Sequence, residues 1–171
     1  MNNFIPAWRV IYTKPRHEKK VVESLTRLEI GSFLPTIKTL RTWHDRKKYL
    51  ELPLFPSYVF VYLKDNQSYY SSLSAEGVLY YIKTGKKIAT VPNSIIDNIQ
   101  LIVNNGKEIE VSTEYLQPGK NLLITKGPFT GRSCEVIQYK GKQKILVRID
   151  LLQRGVLANL PVEYLSKHPE S

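Results

Sequence analysis

The chain is poor in the residues that hold metals or bridge strands. It has one cysteine, one methionine and three histidines among 171 residues. Cys134, the single cysteine, excludes an internal disulfide and fits a reducing compartment. His17, His44 and His168 stand far apart, so no metal set assembles, and neither a metal nor a cofactor is expected. His17-Glu18 opens like a zinc-protease helix, but Val21 occupies the place of the second histidine. No apolar run reaches the length of a membrane span, so no membrane partner is expected. Met1 to Trp8 lacks a basic region followed by an apolar run; a signal peptide is not expected and a cytoplasmic location is. No phosphate-binding P-loop is present: Thr84-Gly85-Lys86-Lys87 lacks the first glycine and the hydroxyl residue after the lysine. Cys134 has no base near it in sequence and lies in a strand-like run, which suits a small core residue better than a nucleophile. The expectation is a protein that is not an enzyme and has no catalytic residues.

Acidic residues are also scarce. Lys and Arg number 25 against 15 Asp and Glu, a formal net charge of +10. The excess is uneven. Residues 1–50 hold 11 Lys+Arg and 4 Asp+Glu, residues 51–106 hold 4 and 4, and residues 107–171 hold 10 and 7. A concentrated positive front suggests a polyanion, most often nucleic acid; the alternative is a solvated, solubilising face.

What the chain does have is alternation. Pro53-Leu54-Phe55-Pro56-Ser57-Tyr58-Val59-Phe60-Val61 is apolar on both faces from Tyr58 on, the pattern of a central strand. Its two prolines cannot donate ladder hydrogen bonds and bound the strand. Phe55, between them, has two outcomes: a rim of the core or an exposed anchor for a partner. Ala7 to Thr13 alternates Trp8, Val10 and Tyr12 with Arg9, Ile11 and Thr13, a first strand. A helix follows from about Arg16 to Glu29, with Val21, Val22, Leu25 and Leu28 on its apolar stripe, Glu18, Lys19, Glu23 and Arg27 pointing away, and Gly31 as its C-cap glycine. The stretch 33–52 reads as a long hairpin interrupted by Pro35, with Trp43 amid the basic link from Arg41 to Lys48. A short helix over Gln67 to Ala75, a strand from Val78 to Lys83 and a helix from Pro92 to Gly106 complete the first region. After Gly119 come short strands separated by glycine turns. The expected fold class is α+β. An N-terminal antiparallel sheet flanked by helices fills 1–106, a linker 107–118, and a small C-terminal β-barrel 119–171.

Two stretches carry a family resemblance. Trp8 to Leu25, containing Tyr12-Thr13-Lys14-Pro15-Arg16-His17-Glu18, together with Pro53 to Val61, resembles the amino-terminal (NGN) domain of NusG-type transcription elongation factors. Gly119 to Leu165 resembles the SH3-like KOW domain that follows it, with Gly127, Pro128, Phe129 and Gly131 in its signature turn. The Pro-Leu-Phe-Pro form and short linker are similar to the specialised RfaH and UpxY paralogues that antiterminate polysaccharide operons. The resemblance implies a monomer that binds the clamp helices of the largest RNA polymerase subunit, bridges the DNA channel and suppresses pausing or termination. It gives Phe55, Pro56 and Tyr12 the clamp surface and makes Phe55 a partner anchor. It aligns Ser68, Tyr69 and Tyr70 with a gate-loop contact, although the residue types differ there. Lys14 and Arg27 match nucleic-acid contact positions, and Arg16, Lys19 and Lys20 add charge toward non-template DNA or nascent RNA. The KOW domain implies Rho or the ribosome as a further partner, and it departs from the family in having Cys134 where a glycine is usual. The competing class is an RNA- or ribosome-binding KOW protein.

Overall fold

The computed structural model describes residues 4–127, 130–159 and the backbone of 165–169. Its chain forms two compact units, residues 1–93 and 94–171. The first begins with β1 (Ala7–Thr13), α1 (Glu18–Arg27) and β2 (Gly31–Phe33). A hairpin follows, β3 (Thr36–Thr42) and β4 (Lys47–Pro53), then β5 (Tyr58–Leu63), α2 (Asn66–Leu73) and β6 (Val78–Tyr81). A small turn of β7 (Lys83–Thr84) and β8 (Lys87–Ile88) comes last. The main sheet has the order β2-β5-β1-β6, every pair antiparallel. This is a split β-α-β arrangement with the β3–β4 hairpin inserted between β2 and β5. β5 lies between β2 and β1, and its residues are buried or half-buried on both faces of the sheet.

One face of that sheet carries the helices. Ile11, Val59, Val61 and Leu63 are fully buried and cluster with Val21 and Leu25 of α1. Three expected details of this unit are corrected. Gly31 is not the helix C-cap: Glu29 adopts the left-handed φ of 57°, Ile30 N–H donates to Leu25 O at 2.9 Å, and Gly31 already belongs to β2. Glu18 does not point away; it is buried, for a reason given below. The second helix starts earlier than Gln67, because Asp65 and Ser68 form a reciprocal capping box at its amino end.

The second unit holds most of α3 (Asn93–Asn105) and then β9 (Lys107–Ser112), β10 (Lys120–Ile124), β11 (Ser133–Tyr139) and β12 (Lys142–Ile149). A 3-10 turn (Asp150–Leu152), β13 (Arg154–Asn159) and β14 (Leu165–Pro169) complete it. The two compact units divide after Asn93, so nearly all of this helix falls with the strands that follow it. The strands form one antiparallel sheet in the order β14-β10-β11-β12-β13-β9. Where a small barrel was expected, the described residues show this sheet with no pairing of β14 to β9. The stretch 107–118, expected as a linker, opens with strand β9, paired along β13. Its charges look solvated in sequence but are matched in space: Glu110 accepts from the buried Lys144 Nζ at 2.8 Å, and Glu108 from Asn159.

A second ion pair makes this unit sensitive to acid. Arg148 grips Glu135 through two hydrogen bonds, Nε to Oε2 at 2.9 Å and a terminal nitrogen to Oε1 at 2.8 Å. Gly119 N–H also donates to Glu135 Oε1 at 2.9 Å, pinning the approach to β10. The Arg148 hydrogen bond, ahead of other causes, holds the Glu135 carboxyl below its ordinary range. A depressed carboxyl pKa stabilises the fold above the unfolded value, near 4.3, and that contribution vanishes as pH falls through the folded value. Glu135→Gln should therefore cost about 1.5 kcal/mol at pH 7 and flatten the loss of stability below about pH 4.3. Urea unfolding at pH 7 and pH 3.5 reads both effects, and equal slopes with pH in the two proteins would refute the assignment.

Candidate functional site

The site begins with a turn. Phe55, Pro56, Ser57 and Tyr58 form a reversal in which Tyr58 N–H donates to Phe55 O at 3.1 Å. Ser57 has a φ of 68°, so Pro56 and Ser57 take the two central places of a type II turn. A non-glycine residue in that conformation needs support. Here Ser57 N–H donates to Glu18 Oε1 at 2.8 Å, and Ser57 O accepts from Thr13 N–H, also at 2.8 Å. Glu18 is thus buried at the start of α1 because it satisfies a buried amide of the motif turn. Glu18→Ala should cost about 1.5 kcal/mol and loosen the turn, with Ser57 amide exchange accelerated while that of Val61 is not. Unchanged Ser57 exchange would count against this role.

The sheet face opposite α1 and α2 is aromatic. Tyr12 of β1 lies between Tyr58 of β5 and Tyr80 of β6 in one cross-strand row. Ring centroids are 5.3 Å apart for Tyr12–Tyr58 and 5.2 Å for the stacked Tyr12–Tyr80 pair. Phe33 and Phe60 form a second row, and Trp8 with Tyr62 a third. Tyr12 and Tyr58 are half-buried, Tyr80 is 53% exposed, and Pro56 is exposed beside them. The sequence reading missed Tyr58 and Tyr80 as members of this surface. The alternation of Tyr58, Phe60 and Tyr62 was the available signal for the first. Nothing in Leu79-Tyr80-Tyr81 tells which tyrosine faces outward.

Phe55 departs from the anchor expectation. It is 3% exposed, with its ring edge-on to Phe60 at 6.1 Å. Its side chain is a rim of the core, which supports the turn from beneath, and the exposed residue of the motif is Pro56.

The other candidate residues occupy three places. Ser68 Oγ is engaged in the cap of α2, Tyr69 packs against Tyr81, and Tyr70 is 69% exposed. Lys14, Arg16, Lys19 and Lys20 are exposed where β1 passes into α1. Arg27 is exposed at the far end of that helix, about 10 Å along its axis from Lys20. Lys19 Nζ reaches Glu51 O at the base of the β3–β4 hairpin, at 3.5 Å, and Lys20 lies 3.9 Å from Glu76 in an exposed pair. In the second unit, Gly127 and Gly131 have φ of 79° and 84° and shape the β10–β11 turn. Thr130 N–H donates to Gly127 O at 3.1 Å, and Gly131 N–H to Ile124 O at 2.8 Å. Pro128 and Phe129 lie outside the described residues. Cys134 sits in the regular ladder opposite Leu122, and burial pushes its thiol up to about 11, the opposite of an activated nucleophile. Among the described residues no group of three His, Cys, Asp or Glu side chains could hold a metal ion, and no helix is long and apolar enough to cross a membrane.

The NusG family model, transcription termination factor nusG, matches residues 6–100. That is more than half of the chain, and the chain belongs to the NusG family, a family of non-enzymatic transcription factors. The matched region contains the whole aromatic face and the motif turn. Among solved structures, NusG of Thermotoga maritima, described for its domain interaction, is 20% identical, covers 95% of this chain and 97% of its own, and has a TM-score of 0.50. At that identity the likeness is one of fold. The MjSpt4:Spt5 complex in conformation B is 16% identical over 95% of this chain and 97% of that one, with a TM-score of 0.32.

Proposed function

We propose that this chain is a transcription elongation and antitermination factor of the specialised RfaH/UpxY branch, serving a polysaccharide-type operon. The Pro53-Leu54-Phe55-Pro56 form supports that branch. The aromatic face seats on the clamp helices of the largest RNA polymerase subunit, and the bound factor bridges the DNA channel and suppresses pausing. The observation that carries this reading is the Tyr58–Tyr12–Tyr80 row beside the exposed Pro56 turn. Aromatic rings that are partly buried, mutually packed and reachable from solvent on one side are what interface hot spots are made of. Phe55 supports this surface instead of reaching the partner, and Glu18 holds the turn that presents Pro56. Tyr70 is the member of the Ser68-Tyr69-Tyr70 trio free to meet the gate loop, since the other two side chains serve the fold. Lys14, Arg16, Lys19, Lys20 and Arg27 steer non-template DNA or nascent RNA by charge. Residues 119–171 act as an SH3-like KOW module toward Rho or the ribosome, and the factor works as a cytoplasmic monomer.

The test is pause escape by purified RNA polymerase on a template with one strong pause. The full chain should shorten the pause lifetime several-fold, and Tyr12→Ala should not. A pause lifetime unaffected by the wild-type protein would reject this function. One shortened equally by both proteins would reject the aromatic face as the contact.

A further inference from the structure

The β3–β4 hairpin carries a basic and aromatic surface that the polymerase reading leaves unused. Its register sets Thr39 opposite Leu50, Arg41 opposite Lys48, and Thr42 opposite Lys47. Trp43 and Arg46 close the tip: Trp43 N–H donates to Arg46 O at 2.8 Å, with the return bond at 3.4 Å. Side chains two apart along a strand share a face, so Arg41, Lys48, Trp43 and Arg46 form two successive rows on one side, about 7 Å apart. Directly opposed residues in an antiparallel pair bring their Cβ atoms within about 5 Å, and like charges there are destabilising. The distal hairpin accepts that cost at Arg41 and Lys48. Among the described residues, none of Arg41, Arg46, Lys47 or Lys48 pairs with a carboxylate, and all four are exposed. The acids of the hairpin are Asp45, at the tip, and Glu51, at the base, where it accepts from Thr36 Oγ1 at 2.8 Å. The Trp43 indole is 45% exposed, with the Arg46 guanidinium over its ring at 5.7 Å.

We infer that this face of the hairpin is a binding surface for single-stranded nucleic acid. Opposed cations that pair with no carboxylate of the described residues attract an external anion, and a phosphate backbone supplies it. An exposed indole set among those cations offers a stacking platform, which only an unpaired base can use fully. The pairing of charge with a flat ring favours a single strand over a duplex, whose bases are already stacked. The surface continues toward α1, because Lys19 touches the base of β4. The hairpin needs no polymerase to act, so this inference goes beyond the proposed function and stands without it.

The experiment is fluorescence anisotropy with the full chain and a labelled twelve-nucleotide oligodeoxynucleotide, its RNA counterpart and the corresponding DNA duplex, across a range of salt. The variants are Trp43→Ala, the double substitution Arg41→Ala with Lys48→Ala, and Lys38→Ala on the other hairpin face as a control. All four positions are exposed, and unchanged circular dichroism and thermal midpoint confirm folding in each case. The wild type should prefer single strands to the duplex, and the tighter of the DNA and RNA strands identifies the source. The double variant should bind more than tenfold more weakly at low salt, with a salt slope reduced by about 1.4, since each lost phosphate contact removes about 0.7. Trp43→Ala should lose more than fivefold with its slope unchanged. Lys38→Ala should stay within twofold. Wild-type affinity and slope in the double variant would overturn the inference. So would a neutral Trp43→Ala combined with duplex binding as tight as that of the single strand.

Discussion

Phe55→Ala lowers the unfolding free energy of the first unit by about 3 kcal/mol. Truncating a buried phenylalanine costs about 3–5 kcal/mol, through lost transfer free energy and the cavity left behind. The lower end applies because Phe55 sits at the end of a turn, where the chain can partly collapse into the space. Its ring lies edge-on to Phe60, itself fully buried and paired with Phe33, so the loss is felt in the aromatic row above. Both tryptophans, Trp8 and Trp43, belong to residues 1–93, so tryptophan fluorescence in urea follows this unit separately from the other. A loss under 1 kcal/mol would mean that the ring does not pack as described.

If the proposed clamp contact holds, Tyr12→Ala should weaken binding to the polymerase clamp helices by about 2 kcal/mol or more, roughly thirtyfold in affinity. Tyr12 is the middle ring of its row, in contact with both Tyr58 and Tyr80. Removing it opens a gap between two aromatic neighbours and leaves each with an unsupported edge. Its own fold-stability cost is smaller than that of Phe55, because Tyr12 is only half-buried. Tyr12→Phe keeps the ring and should keep most of the affinity, which separates ring packing from the hydroxyl. The resemblance gave both positions to one clamp surface; the structure separates them. On the proposed function, Phe55 should contribute chiefly to stability and Tyr12 to binding.

Periodicity made much of the first unit legible. Trp8, Val10 and Tyr12 against Arg9, Ile11 and Thr13 defined the two faces of β1, and the register bears this out. The apolar run from Tyr58 placed β5 between neighbours, as it is. The 33–52 hairpin was visible too, with Pro35 marking the break between β2 and β3. Less legible were features set by contacts distant in sequence. Glu18 looks like a solvent-facing helix acid, yet the amide that buries it belongs to Ser57, 39 residues away. Glu108 and Glu110 look like linker residues because their partners Lys142, Lys144 and Asn159 lie in other strands. Phe55 could be read either way from its two prolines. Only its packing against Phe60, near it in sequence and in space but invisible to periodicity, shows that the ring turns inward.

Calorimetric titration of the clamp-helix segment of the largest RNA polymerase subunit into the full chain tests the central claim most directly. The account predicts a one-to-one complex for the wild type, about thirtyfold weaker binding for Tyr12→Ala, and near-wild-type binding when Arg41 and Lys48 are both alanine. No binding by the folded wild type, or equal affinity for wild type and Tyr12→Ala, would contradict it.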